Sequence, residues 1–151
     1  MVASESEVFI SRVIGLPIVD AAGDQVGRVK DVVCYLRADG LAPRVKGLVA
    51  ELFARARIFV PMLRVHDISP AQVAILGQVD TRRFQRRDTE VLIAGDLFDR
   101  SIGRESRTKI FDVSMQQVRN REWELASVAI RASTRVGRFG FGGRGDAQVV
   151  S

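Results

Sequence analysis

Residues 15–33 read GLPIVDAAGDQVGRVKDVV, and this stretch carries the strongest structural signal in the chain. Two runs rich in β-branched residues flank the polar segment 20–24. Asp20, Gly23 and Asp24 predict a turn there, because glycine tolerates positive φ and aspartate can accept from its own backbone. The spacing of the valines in residues 25–36 also fits a helix, but their β-branched character favours a strand. We therefore expect a hairpin, with a bulge near residues 30–31 and with Gly27 allowing the strand to bend.

Further short apolar runs follow this hairpin. Residues 44–52, 58–61 and 72–76 predict strands, and residues 66–70 predict one tight helical turn. Short strands at close spacing indicate an all-β unit, either a small barrel or a sandwich.

The second half of the sequence repeats this order more loosely. Residues 109–113 (KIFDV) match residues 28–32 (RVKDV), and residues 91–98 predict a short helix. The shared identities are Leu16 with Leu97, Asp31 with Asp112, and Val32 with Val113. We interpret the chain as a diverged duplication with an offset of about 80 residues.

The domain prediction follows from these patterns. It comprises a flexible N-terminus (1–7), a first barrel (8–77), a connector (78–90), a second, diverged barrel (91–132) and a Gly/Arg-rich linker (133–151). Residues 147–151 become apolar again, which predicts an element continuing into a further domain beyond Ser151.

Composition limits the function classes. The 151 residues are 46% hydrophobic and 27% charged, which is typical of a globular protein of one domain or two very small ones. A single cysteine, Cys34, cannot form an internal disulfide. The N-terminus does not resemble a signal peptide, and no apolar run has the ~20 residues of a membrane span. These features predict a cytoplasmic protein.

Enzyme chemistry finds little support. His66 lies beside Asp67 and Ser69, but such close neighbours do not form a catalytic triad. The close carboxylate pairs Asp20/Asp24 and Asp96/Asp99 are expected in turns rather than around Mg²⁺. Glycines 140, 142 and 145 match the dinucleotide pattern without its helix, so a flexible segment is expected. We predict no catalytic activity, no cofactor and no metal site, with Cys34 and Trp123 in the core.

The net charge of +5 is unevenly distributed. Residues 1–76 carry 9 basic and 8 acidic residues, whereas residues 77–151 carry 14 and 10. The densest basic cluster consists of Arg82, Arg83, Arg86 and Arg87 around Phe84. It has three interpretations: a solvated connector paired with neighbouring acids, a docking surface for an acidic protein, or a site for nucleic acid or lipid headgroups. We select the docking surface, in which Phe84 is the desolvated anchor and the arginines set orientation.

The hairpin stretch 15–33 resembles the PRC-barrel domain, whose pattern is a strand, an Asp-x-x-Gly turn and Val-Gly-x-Val-x-Asp-Val. RVKGLV (44–49), IFVPM (58–62), RRF (82–84) and REWE (121–124) are similar to the N-terminal region of actinobacterial MgtE-like magnesium-transporter-associated proteins. The second half departs from the pattern, since residues 103–107 stand where a Gly-Asp turn is expected. The resemblance implies two PRC-type barrels in tandem, joined by short helical connectors.

The resemblance also implies a function. We expect a non-catalytic regulatory module of a magnesium or other divalent-cation transport system, placed in the cytoplasm or at the inner face of the membrane. Its partner would be a downstream MgtE N-terminal or CBS region, or a membrane transporter. The alternative is a RimM-like ribosome-maturation module that binds RNA or ribosomal protein, and a homodimeric scaffold is a third interpretation. Nucleic acid is the less favoured partner, because the positive charge is local rather than spread over the chain.

Overall fold

A computed structural model describes residues 7–35, 37, 40–77, 83–98, 101–102, 108–119, 122–132 and 147–150. The first unit contains β1 (Glu7–Phe9), the helical turn α1 (Ile10–Val13), β2 (Pro17–Val19), β3 (Gln25–Tyr35), β4 (Arg44–Glu51), β5 (Arg57–Pro61), a 3₁₀ turn (Met62–Arg64), β6 (Val65–Ile68) and β7 (Val73–Ile75). The second unit contains β8 (Glu90–Leu92), a π-helical turn (Ile93–Leu97), β9 (Ser101–Ile102), β10 (Thr108–Arg119), β11 (Glu122–Ala132) and β12 (Ala147–Val150).

The twelve strands within the described residues belong to one sheet, with the main order β1-β10-β11-β4-β3-β2-β7-β6. The two ends of this path, β1 and β6, line the same small cleft, so the sheet is curled. The all-β class is confirmed, but two separate barrels in tandem are not, because strands of both units share this curled sheet. Within the described ranges, no helix is long and apolar enough to cross a membrane.

The hairpin β2–β3 confirms the predicted turn. The Asp20 carboxylate accepts from the backbone N–H groups of Ala22 (2.9 Å) and Asp24 (3.0 Å), and Gly23 has a φ of 87°. The bulge is also confirmed, since the β3–β4 register shifts between Val29 and Asp31.

Gly27 has a different role from the predicted bend. A Cβ at this position would lie 2.5 Å from the carbonyl oxygen of Glu51 on β4. Gly27 is therefore needed because the two strands approach each other closely.

The strand pairing follows a similar pattern in the two units. The β3–β4 register shifts twice, at Val29/Asp31 and Val33/Cys34, and the β10–β11 register shifts at the corresponding places about 80 residues later, Ile110/Asp112 and Ser114/Met115. β12 pairs with β11 in the way that β5 pairs with β4.

The two units exchange their opening strands. β1 of the first unit pairs with β10, with Val8 opposite Met115, whereas β8 of the second unit pairs with β3, with Val91 opposite Cys34. Between the units, β4 and β11 pair at Arg44 and Glu124. Each unit therefore supplies a strand that pairs within the other unit.

Two buried aspartates hold the exchanged segments, and we call them the carboxylate latches. Asp31 accepts from the backbone N–H groups of Ala94 (2.7 Å) and Gly95 (2.9 Å) in the π-helical turn. Asp112 accepts from the backbone N–H (3.1 Å) and the hydroxyl of Ser11 in α1. Each carboxylate also accepts from the N–H of the following residue, at 2.8 and 2.9 Å, so both are well satisfied.

Some predicted boundaries are wrong. The helical turn expected at 66–70 lies instead at Met62–Arg64, and β6 covers Val65–Ile68 because it pairs with β7. Residues 83–84 and Glu90, assigned to the connector, bond to β5 and begin β8. The expected linker contains a strand, Ala147–Val150, because β11 offers it a pairing edge. The remaining connector and linker residues, 78–82 and 133–146, lie outside the described residues, as does the N-terminal segment 1–6.

Candidate functional site

A groove of about 680 Å³ lies where the segment after the first unit crosses β4 and β5. We call it the basic groove. Its lining residues are Lys46, Phe59, Pro61, Arg64, Arg83, Phe84, Gln85, Arg86, Arg87 and Glu90. Four of the five residues predicted for a docking surface, Arg83, Phe84, Arg86 and Arg87, line this groove, and Arg82 lies outside the described residues.

The floor of the basic groove is aromatic. The rings of Phe59 and Phe84 stack with their centroids 6.1 Å apart and an interplanar angle of 25°. Phe84 is fixed by its backbone N–H, which donates to the carbonyl oxygen of Arg57 at 2.7 Å. Beneath Phe59 lies Gly47, where a Cβ would come within 2.6 Å of the ring. The aromatic pair therefore depends on a glycine of the neighbouring strand.

The charge of the basic groove is strongly positive. Five cationic side chains and one carboxylate, that of Glu90, line it. Glu90 accepts from Lys46 Nζ at 2.6 Å and from the backbone N–H of Arg87 at 2.8 Å. Burial alone would raise the Glu90 pKa, but these hydrogen bonds and the charges of Lys46 and Arg87 outweigh it and lower the pKa. Glu90 is thus an ionised structural anchor.

The arginines of the basic groove differ in their partners. Arg86 Nη1 lies 2.5 Å from Asp96 Oδ2, and Asp96 also accepts from the backbone N–H of Leu92. Among the described residues, the exposed Arg83 and Arg87 side chains form no ion pair. Arg83 and Arg87 are therefore the cations most available to an incoming anion.

The groove contains further residues that were not among the predicted docking residues, namely Lys46, Phe59, Pro61, Arg64, Gln85 and Glu90. Lys46, Phe59 and Arg64 come from β4, β5 and the 3₁₀ turn, well before the arginine cluster in the chain. Gly47 inside β4 is the one sequence signal for Phe59, because an interior strand glycine often marks a close approach.

A second cavity, of about 390 Å³, adjoins the basic groove, and we call it the apolar pocket. It lies between the two units, and its lining residues are Cys34, Pro43, Arg86, Glu90, Val91, Ile93, Asp96, Leu97 and Leu125. Arg86 and Glu90 line both cavities. Burial, together with the nearby charge of Asp31, raises the Cys34 pKa far above its ordinary value, so the thiol behaves as a small apolar group.

The other residues singled out from the sequence lie in turns or in the core. Asp20, Gly23, Asp24 and Gly27 belong to the β2–β3 hairpin. Trp123 is buried, as predicted, and Ser69 accepts from two backbone N–H groups of its own turn. Within the part of the chain that the structure describes, no three or more His, Cys, Asp or Glu side chains form a group able to hold a metal ion.

Comparison with known families divides the chain in the same way as the fold. Residues 5–76 match the PRC-barrel domain, which confirms this part of the resemblance. Residues 91–151 match the Actinomycetes SH3 domain rather than a second PRC-type barrel. No curated protein matches the chain. Neither family description refers to magnesium transport, so the MgtE-like association stays a prediction.

Proposed function

We propose that this chain binds an acidic segment of a protein partner and has no catalytic role. Its residues 5–76 match the PRC-barrel domain, and its residues 91–151 match the Actinomycetes SH3 domain. The observation that carries the proposal is the basic groove, in which five cationic side chains surround the stacked rings of Phe59 and Phe84.

Charge and apolar surface have separate tasks in this proposal. The exposed guanidinium groups of Arg83 and Arg87 attract carboxylates and set the orientation of the bound segment. The half-buried Phe59 and Phe84 supply apolar area that is desolvated on binding.

RNA is the second candidate, because a groove with this charge also attracts phosphates. The stacked rings of Phe59 and Phe84 do not separate the two candidates, because an outer ring face can pack on a base or on an apolar side chain. The apolar pocket beside the groove favours protein, because it suits an amino-acid side chain better than a phosphate.

The identity of the partner is a separate part of the proposal. Following the resemblance, we propose that the acidic segment belongs to a divalent-cation transport system, either in an MgtE-like N-terminal or CBS region or in a membrane transporter. Co-purification from cells tests this part, and unchanged recovery of every transporter partner by the charge-reversed variant described below would remove it.

The groove itself is tested by fluorescence anisotropy with a labelled Asp/Glu-rich peptide. We expect Arg83→Glu/Arg87→Glu to weaken binding by at least about tenfold, because two attractive charges become repulsive. The matched control is Arg12→Glu/Lys30→Glu, which makes the same change in net charge at exposed residues outside the groove. Equal affinity of the two variants contradicts the proposal. Tighter binding of a single-stranded RNA of equal charge, with a steep salt dependence, would instead favour the RNA alternative.

A further inference from the structure

The apolar pocket lies beside the basic groove and is not filled by any described side chain. Six of its nine lining residues are apolar or behave so, namely Cys34, Pro43, Val91, Ile93, Leu97 and Leu125. We propose that it holds one apolar side chain of the same partner segment. The recognised motif would then be bipartite, with a leucine-like or aromatic residue next to a cluster of acids. This inference rests on the proposed function of the basic groove.

The size of the apolar pocket fits a single side chain. It measures about 390 Å³, whereas an apolar cavity of about 150 Å³ is enough to bind benzene. The remaining volume leaves space for the backbone that enters with the side chain. A branched aliphatic or a phenyl group is therefore the expected occupant.

The polar residues that line the apolar pocket are paired within the protein, so they do not require a polar group from a ligand. Arg86 pairs with Asp96 at 2.5 Å, and Glu90 pairs with Lys46 at 2.6 Å. Both pairs are satisfied within the protein, so they form a rim around an apolar interior. An occupant without hydrogen-bonding groups is the one that such an interior prefers.

The same rim connects the two cavities. Arg86 and Glu90 line both the apolar pocket and the basic groove, so a segment that crosses this rim enters both. Its carboxylates would lie near Arg83 and Arg87 on one side and its apolar side chain beside Leu97 and Leu125 on the other.

Both units are needed to build the apolar pocket. Cys34 and Pro43 come from the first unit, six lining residues between Glu90 and Leu125 come from the second, and Arg86 comes from the segment between them. The backbone N–H of Leu125 donates to the carbonyl oxygen of Pro43 at 2.9 Å and fixes the two walls relative to each other. The site is therefore preformed and costs little ordering on binding.

The experiment compares two peptides on the full chain, an Asp/Glu-rich peptide and the same peptide with one leucine beside the acids. We expect the leucine to tighten binding to the unmodified protein by about tenfold, equivalent to about 1.4 kcal/mol. Leu125→Phe and Leu97→Phe, which fill the pocket from two sides, should bind both peptides equally and keep the affinity for the acidic one. Circular dichroism and Trp123 fluorescence check that each variant is folded.

A second measurement needs no substitution. Cys34 lines the apolar pocket and is the chain's one cysteine. With ¹³Cβ-labelled cysteine, the single Cys34 NMR signal should shift more when the leucine-containing peptide binds than when the purely acidic peptide binds at equal occupancy.

The outcomes separate this inference from the proposed function. If the acidic peptide binds and the leucine adds less than about twofold, the bipartite motif is wrong and the groove proposal stands. If the leucine preference survives in both filled variants, the apolar side chain binds elsewhere and the inference is overturned. If neither peptide binds the unmodified protein, both proposals fail.

Discussion

At the scale of single residues, Gly47 decides whether the basic groove has an aromatic floor. Its missing side chain leaves the space that the Phe59 ring occupies, and Phe84 stacks on that ring. The carbonyl oxygen of Val60 also approaches to 2.3 Å of where a Cβ would be. Backbone on a paired strand cannot easily move away, so a larger residue at position 47 would force its surroundings to shift.

We therefore predict that Gly47→Ala lowers the free energy of unfolding by about 1–3 kcal/mol, a usual cost of overpacking. It should also weaken binding of the acidic peptide, because Phe59 must shift. Urea unfolding and anisotropy measure the two effects. The control is Gly95→Ala, whose Cβ would make only an ordinary contact with Asp31 at 3.4 Å. Equal unfolding free energies for the two variants would contradict this reading of Gly47.

At the scale of elements, β8 connects the groove to the exchanged segment. Glu90 at its first position binds Lys46 and the backbone of Arg87, whereas the π-helical turn that follows β8 is held by Asp31. The same three-residue strand also pairs with β3 through Leu92 and Val91. Loosening β8 therefore affects the groove wall and the first unit together.

The lowered Glu90 pKa gives this element a pH dependence. Since the folded pKa lies below the ordinary value of 4.5, the ionised carboxylate stabilises the fold above the unfolded pKa, and this stabilisation is lost as the pH falls through the folded pKa. We predict that Glu90→Gln destabilises the protein at pH 7 and that the difference from the unmodified protein shrinks below about pH 4.5. Urea titrations between pH 3 and 7 measure the difference.

The control for the pH series is Asp24→Asn, which removes an exposed carboxylate that accepts no hydrogen bond among the described residues. Its effect on the free energy of unfolding should be small at every pH between 3 and 7. A Glu90→Gln difference that is constant from pH 7 to pH 3 would show that the carboxylate charge contributes nothing.

Local chemistry explains which elements were predictable from the sequence. The turn at Asp20–Asp24 and the bulge at residues 30–31 depend on neighbouring residues, and the arginines of the groove are contiguous. Lys46 and Phe59 join the site only through strand pairing, which no local pattern encodes. The local pattern of residues 66–70 predicts a helical turn, but β6 forms there because its pairing with β7 decides the conformation.

The exchange of β1 and β8 could not be predicted from local sequence patterns either, because it pairs residues that lie far apart in the chain. Asp31 and Asp112 were recognised as identities between the two halves, but their hydrogen bonds lead to the other unit, to Ala94 and to Ser11. β12 follows a segment rich in glycine and arginine, so its short apolar pattern alone predicts the start of a further domain rather than a strand of this sheet.

At the scale of the whole molecule, the exchange makes the two units interdependent. Each supplies a strand and a helical turn to the other, and the sheet is continuous through β4 and β11. A small protein with one continuous set of native contacts is expected to unfold in one transition. The family matches at residues 5–76 and 91–151 thus mark two sequence units but one folding unit.

The chain carries one probe in each unit for testing this. Cys34 of the first unit is buried, and Trp123 of the second is buried as well. We predict that thiol accessibility and tryptophan fluorescence give the same urea midpoint. Asp112→Ala, which removes the latch on α1, should lower both midpoints equally and cost about 1.5–3 kcal/mol for hydrogen bonds lost to a charged group.

Asp24→Ala, at an exposed turn residue, is the matched control and should leave both midpoints nearly unchanged. Two separate midpoints in the unmodified protein, or an Asp112→Ala effect confined to Trp123, would mean that the units unfold independently.

The strand exchange has a consequence for how the chain emerges from the ribosome. At about 5–20 residues per second, the roughly 20 residues from Ile75 to Gly95 take about 1–4 s, and β3 has a bare edge during that time. β1 stays unpaired for longer. Its partner positions on β10 extend to Gln116, more than 100 residues further along the chain, and these are synthesised about 5–20 s later. Bare edges of this kind invite pairing with other chains. The nascent protein is thus most exposed to misassembly, and to capture by chaperones, in the seconds before its second half arrives.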